Sequence, residues 1–222
     1  MINTFKKYIV FVLIIFSANV IAQDIDPIIV LDSAQNKLKN VKSYTADAEI
    51  DVDVDFLKMK PRQAKISYIY PNKLDIDTKG FAMIPKYGFR PFMKTINSLD
   101  NRAVFTGMEE INGHNCYILT LLPREDSKVV MLKLWIRTED YLIQRSETFT
   151  RHSGSFLIDS FYEDKILPSK MIFQFETKGG FINMPWKLIG NTIEVDKSKL
   201  NDEELKSGTV TIKFTNYSIV YD

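Results

Sequence analysis

The stretch Tyr44-Thr45-Ala46-Asp47-Ala48-Glu49-Ile50-Asp51-Val52-Asp53-Val54-Asp55-Phe56 decides the fold. Its even positions are Tyr, Ala, Ala, Ile, Val, Val and Phe, and its odd positions are Thr followed by five acids. Successive side chains of a strand point to opposite faces, so this alternation predicts a long strand with one buried and one wet face. The acids do not suggest a calcium loop. Next-but-one side chains on a strand stand about 7 Å apart in a row, whereas a calcium loop turns its carboxylates inward onto one point. A solvated outer face is expected, with Lys65, Lys73 and Lys79 on neighbouring strands as counter-charges.

Upstream, the period is 3.6. Asp26-Pro27 has the form of an N-cap and first helical position, since proline lacks only an N–H that a helix leaves unpaired there. Ile28, Leu31, Ala34, Gln35 and Leu38 recur at helical spacing to about Asn40, with Lys37 and Lys39 near the C-terminal end. Downstream, period-2 patterns predict strands at Ala64–Tyr70, Lys73–Thr78, Ala103–Glu110, Cys116–Leu122, Val129–Ile136, Leu142–Thr150, Ser155–Tyr162, Lys170–Thr177, Asn191–Val195 and Thr209–Val220. Pro71-Asn72, Asn112-Gly113 and Ser153-Gly154 mark turns between them. Ser198–Lys206 suits a helical turn or two.

Two stretches stay apolar while breaking the strand rhythm: Gly80–Leu99, punctuated by Pro85 and Pro91, and Gly179–Gly190. A connection of this length that remains apolar is unusual for a solvent loop. Both are expected to cover a core or to form the wall of a cavity, and Met83, Met93 and Met184 suit a surface that adapts to variable apolar partners.

The chain has 222 residues, 29 Lys+Arg against 28 Asp+Glu and 45% hydrophobic residues, enough for one ordinary core. A net charge of +1 provides no basic footprint for nucleic acid. Lys6 and Lys7 precede an apolar run from Tyr8 to Phe16, and Val20-Ile21-Ala22 places small residues before Gln23. This predicts a signal peptide over residues 1–22, cut after Ala22, and a single exported domain over residues 23–222. The run falls short of the roughly 20 apolar residues that span a bilayer. The single cysteine, Cys116, allows no intrachain disulfide and no Cys-based zinc cage, and its apolar setting predicts a buried, inert thiol.

Little in the sequence points to catalysis. His114 and His152 lie at turns and share no ligand spacing with each other or with the cysteine. No nucleophile elbow, phosphate-cradling glycine loop, dinucleotide fingerprint or paired-His metalloprotease motif is present. Trp135, Tyr141 and Phe149 fall on strand candidates as core or rim aromatics. No enzyme activity, metal or cofactor is expected.

Several local passages resemble the LolA/LolB/LppX superfamily, which includes the periplasmic carriers that sort outer-membrane lipoproteins. They are Leu38-Lys39-Asn40-Val41-Lys42-Ser43-Tyr44-Thr45-Ala46 at the helix-to-strand junction, Ser67-Tyr68-Ile69-Tyr70-Pro71-Asn72-Lys73-Leu74 at a hairpin, and Ile111-Asn112-Gly113-His114-Asn115-Cys116-Tyr117-Ile118-Leu119 at another. Tyr141-Leu142-Ile143-Gln144-Arg145 and Leu167-Pro168-Ser169-Lys170-Met171 fit strands that follow. The resemblance implies a mainly β chain: an incomplete antiparallel β-barrel of about 10–11 strands, with an N-terminal helix and apolar lid segments over a hydrophobic cavity. The carriers' functional Arg early in the sheet has no counterpart here, because the first strand carries Asp47 to Asp55 and the nearest Arg is Arg62.

From the inward positions and the resemblance together, the expected apolar lining is Ile50, Val52, Val54, Phe56, Ile66, Tyr68, Leu74, Ile76, Phe173 and Phe175. Phe81, Met83, Phe89, Phe92, Met93 and Trp186 are expected to close over the top. The implied function is a periplasmic carrier or chaperone that binds acyl chains of lipoproteins or lipids for transfer toward the outer membrane. Its partners would be an acylated ligand together with inner- and outer-membrane delivery or acceptor proteins, and no nucleic acid. The alternative on the same fold is an envelope sensor that binds lipid or lipoprotein and signals to a partner protein through the acidic face.

Overall fold

The computed structural model describes residues 25–54, 57–58, 60–71, 73–78, 82–85, 102–123, 129–152, 154–177, 186–189 and 206–221. The segment assigned to export, the strand expected at 191–195 and most of the helical turn expected at 198–206 lie outside them. Among the described residues, one helix is followed by thirteen strands. No helix among the described residues is long and apolar enough to cross a membrane.

Helix α1 (Pro27–Lys39) begins as its sequence dictates. The Asp26 carboxylate accepts from the Ile28 N–H at 2.8 Å, Pro27 opens the first turn, and Lys37 and Lys39 stand in the last. Val30, Leu31, Ala34 and Gln35 are its buried stripe.

The strands are β1 (Val41–Val54), β2 (Leu57–Lys58), β3 (Arg62–Ile69), β4 (Lys73–Thr78), β5 (Ala82–Pro85), β6 (Ala103–Ile111) and β7 (His114–Leu121). They continue with β8 (Val129–Arg137), β9 (Ile143–Thr150), β10 (Ser155–Phe161), β11 (Lys170–Thr177), β12 (Trp186–Ile189) and β13 (Lys206–Tyr221). Ten form one antiparallel path, β4-β3-β1-β13-β11-β10-β9-β8-β7-β6, with β2 paired to β1. The path ends at β4 and β6 without closing, so the fold is an incomplete β-barrel. The hairpin turns lie where glycine and asparagine predict them: Asn112 has φ 52°, Gly113 φ 81° and Gly154 φ 75°. Tyr141, expected on a strand, instead occupies the β8–β9 turn with φ 59°. There the Asp140 carboxylate accepts from the Leu142 N–H and fixes the turn.

The two apolar interruptions also depart from expectation. Read as irregular cover, they each contain a strand: β5 and β12 pair antiparallel as a separate ribbon, with Trp186 opposite Pro85, Lys187 opposite Ile84, Leu188 opposite Met83 and Ile189 opposite Ala82. A four-residue strand flanked by prolines and aromatics carries too little alternation to be seen alone. Pairing across about a hundred residues of sequence is what defines it.

The inner face of the main sheet is set by register. One row of directly opposed residues runs Phe105, Leu119, Leu134, Ser146, Ile158, Phe173, Val210, Val52. The next runs Ala103, Leu121, Leu132, Thr148, Phe156, Phe175, Gly208, Val54. The core on this face divides into two clusters. In one, α1 packs Val30, Leu31 and Ala34 onto Leu119, Leu121, Leu132, Leu134 and Ile136. The other spans β1, β3, β10, β11 and β13 and includes no residue of the helix.

Candidate functional site

The helix-free cluster is the candidate site. It brings together Ile50, Val52, Val54, Ile66, Phe173 and Phe175, all expected to face inward, and each is at most 5% exposed. Leu74 and Ile76 are partly buried against it. Tyr68 shares the face and stacks on Tyr44, ring centroids 5.4 Å apart. Phe56, Phe81, Phe89, Phe92 and Met93 lie outside the described residues. Met83 and Trp186 belong to the β5/β12 ribbon, where β5 lies against β1.

Sequence reasoning passed over Phe156, Ile158, Met171, Val210, Ile212 and Phe214, which complete the cluster. Their signal was present. Phe156 and Ile158 alternate in β10, and Val210, Ile212 and Phe214 alternate in β13, as the β1 residues do. What the sequence could not supply was the adjacency of β1 to β13, the two strands farthest apart in the chain.

The site is uncharged among its described residues. At one end Tyr44, Tyr217 and Phe214 form an aromatic group, with Tyr44–Tyr217 centroids 5.8 Å apart and Phe214–Tyr217 centroids 5.9 Å apart. Tyr217 donates its hydroxyl to the Pro168 carbonyl at 2.8 Å. Burial pushes the phenols of Tyr44 and Tyr217 far above their ordinary range, so both are neutral donors. At the other end Gly208 sits between Val54 and Phe175. A Cβ there would meet the Phe175 ring at 2.9 Å and Val54 closer still, so the glycine is what lets those two side chains close over the strand.

The middle of the inner face is crossed by a polar strand. β9 presents Gln144, Ser146 and Thr148, all buried, between the two apolar clusters. Gln144 is engaged at both ends of its amide: its carbonyl accepts from Arg137 Nε at 2.6 Å and its amide donates to the Ser160 carbonyl at 2.8 Å. Arg137 in turn lies over Tyr162, whose hydroxyl donates to the Ile143 carbonyl at 3.0 Å. Among the described residues, the hydroxyls of Ser146 and Thr148 have no hydrogen-bond partner.

The outer face is built differently. Asp51 and Asp53 are exposed, as the alternation predicts. Lys65 stands opposite Asp47, whereas Lys73 stands opposite Ile69 and does not answer the acids; Lys79 is outside the described residues. The acids find other partners: Lys213 lies 3.4 Å from Glu49, Gln63 donates to Glu49 at 3.0 Å, and Asn216 to Asp47 at 2.8 Å. Trp135 is buried on this face, donating Nε1 to Glu109 at 2.7 Å beneath Lys133 and beside the Arg145–Asp159 ion pair. Cys116 packs with it, fully buried, its thiol pushed up to about 11 by burial and therefore unreactive near neutrality. His114 pairs with Glu139 at 2.6 Å, and His152 is exposed. A groove of about 540 Å³ is lined by the acids Asp53, Glu147 and Glu176 together with polar residues and the apolar Val54, Leu157 and Phe175. No group of three or more metal-ligating side chains converges among the described residues.

No family model and no curated protein matches this chain. Solved structures do. A DUF1329 family protein from Desulfovibrio piger superposes with a TM-score of 0.52 at 13% identity, covering 89% of this chain and 94% of that one. A putative outer membrane lipoprotein-sorting protein domain from Vibrio parahaemolyticus superposes with a TM-score of 0.50 at 10% identity, covering 87% and 93%. At such identity the likeness speaks for the fold, and it extends over nearly the whole of both chains. With an open antiparallel sheet, an N-terminal helix on its inner face and a separate ribbon among the described residues, this chain has the LolA-like fold.

Proposed function

We propose that this protein is an exported periplasmic carrier that shields acyl chains, of lipids or of lipoproteins, during transfer toward the outer membrane, and that it is not an enzyme. The observation that carries this reading is the helix-free apolar cluster on the inner face, uncharged and beside a ribbon drawn from the two apolar stretches. An acyl chain leaving water for such a surface gains roughly 0.8 kcal/mol per CH₂, which supports capture without specific bonds. The predicted signal peptide and the description of the Vibrio structure as a lipoprotein-sorting domain agree with it. Ile50, Val52, Val54, Ile66, Phe173 and Phe175 form the wall, and the ribbon with Met83 and Trp186 is the cover.

The test is to purify the exported protein without detergent and identify what accompanies it by native mass spectrometry and solvent extraction. A near-stoichiometric lipid or acylated peptide is expected, and Trp186→Asp should reduce it severalfold. A clean apo mass that refuses added lipid removes the carrier reading. Capture of a protein partner that depends on Asp51 and Asp53, tested by reversing both charges, would favour the sensor alternative.

A further inference from the structure

The inner face of β9 poses a question that apolar packing does not answer. Ser146 is opposed directly by Leu134 on one side and Ile158 on the other, and Thr148 by Leu132 and Phe156. Every other residue of these two rows is apolar or glycine, yet both positions carry a hydroxyl. Ser146 is 5% exposed and Thr148 9%, so water does not satisfy them. The third member of the stripe, Gln144, uses both its carbonyl and its amide within the chain, so its polarity has partners there. Buried polar groups are almost always hydrogen-bonded, and valine or alanine would fill the same space without penalty. Among the described residues neither hydroxyl has an acceptor, which points to one brought by a ligand.

Resting on the carrier reading above, we infer that Ser146 and Thr148 are the polar seat for the ester carbonyls of an acylated ligand, whose tail lies along the cluster on β10, β11, β13 and β1. Three features select this chemistry. The hydroxyls are neutral donors, and among its described residues the cluster beside them holds no charge, which suits a neutral acceptor better than a phosphate or a carboxylate. They stand on the border between the helix-filled cluster and the helix-free one, where the head end of an acyl chain would lie if its tail took the helix-free side. Two residues apart on one strand, they project about 7 Å from one another, a spacing that lets each hydroxyl donate to one of the two ester carbonyls on adjacent glycerol carbons. Phospholipids and diacylglyceryl lipoproteins share that unit. The apolar wall would then supply affinity, and the hydroxyls would set register and exclude unacylated hydrocarbon.

The experiment compares a dipalmitoyl phosphatidylcholine with its dihexadecyl ether analogue, which has the same head and chain length but no carbonyls. Loading of the full-length protein is read by native mass spectrometry. The wild type should take up the ester roughly tenfold better, as one or two hydrogen bonds of about 1 kcal/mol would give. The Ser146→Ala/Thr148→Val variant should bind both lipids alike, at the level of the ether, while its thermal midpoint stays the same or rises because two unpaired hydroxyls have gone. Equal uptake of ester and ether by the wild type overturns this inference and leaves the carrier reading standing. Uptake of neither overturns both. A double variant that keeps the tenfold preference also overturns it, and the wild-type comparison decides the matter even if that variant does not fold. A diacylglyceryl-cysteine lipopeptide as a third ligand identifies the source: preference for it or for the phospholipid, lost in the variant, supports the seat in either case.

Discussion

At Gly208 the inner face depends on an absent atom. Phe175 and Val54 meet across a strand that has no side chain there, and a methyl group would have to push into an aromatic ring at 2.9 Å. Gly208→Ala should therefore destabilise by about 1–3 kcal/mol, the usual cost of overpacking, visible as a lower urea midpoint with an unchanged slope. A variant as stable as the wild type would show that the two side chains are not held against the glycine. The sequence gives no sign of this role, since the position lies just before the first residue of the strand expected at Thr209. The opposite holds at Ile50, Val52 and Val54, whose inward direction follows from alternation alone. The residue-scale features that sequence missed are pairings between distant strands, such as Lys213 with Glu49 and Trp135 with Glu109. Neither partner carries any mark of the other until register is known.

Elements were more legible than their company. α1, β4 and β11 begin and end where capping, turns and alternation place them, because those signals are local. The β5/β12 ribbon was not legible as structure, although both of its strands fall inside the stretches singled out as apolar cover. Its register gives a direct handle. Met83 and Leu188 are opposed residues, so replacing both with cysteine places two thiols within disulfide reach. Cys116 is fully buried and its thiol is held protonated, so it should not compete. If β5 and β12 must part from each other for cargo to pass, the oxidised double variant should release bound lipid at least tenfold more slowly, with the rate restored by reductant. Release at the wild-type rate in both states would show that cargo leaves by another route.

For the whole molecule, the partly buried phenols of Tyr44, Tyr162 and Tyr217 set an alkaline limit. Burial pushes Tyr162 up to about 12, and Tyr44 and Tyr217 further, whereas an unfolded tyrosine ionises near 10. The native state then holds its phenolic protons while the unfolded chain releases them. The stability they contribute is fully present below pH 10 and is lost as the pH rises through the native values. The thermal midpoint should be insensitive to these groups up to about pH 10 and fall steeply above it, with tyrosinate absorbance appearing together with unfolding. Gradual ionisation of all ten tyrosines ahead of unfolding would contradict their burial. Periodicity alone anticipated a one-faced sheet with apolar covers and the family resemblance an incomplete barrel, and what sequence could not supply was the sheet order, which depends on contacts between distant parts of the chain.

That closure also governs when the sheet can form. Among the described strands β1 is the first to be synthesised and β13 the last, yet they are neighbours inside the sheet, with β13 bridging β1 to β11. Until β13 has emerged, β1 and β11 each keep a bare edge and the helix-free cluster lacks Val210, Ile212 and Phe214. Contacts of such long range form slowly. A chain built this way keeps the seam between β1 and β11 open until β13 has been made. A nascent chain stopped short of residue 206 should expose the same apolar surface that the finished molecule turns inward.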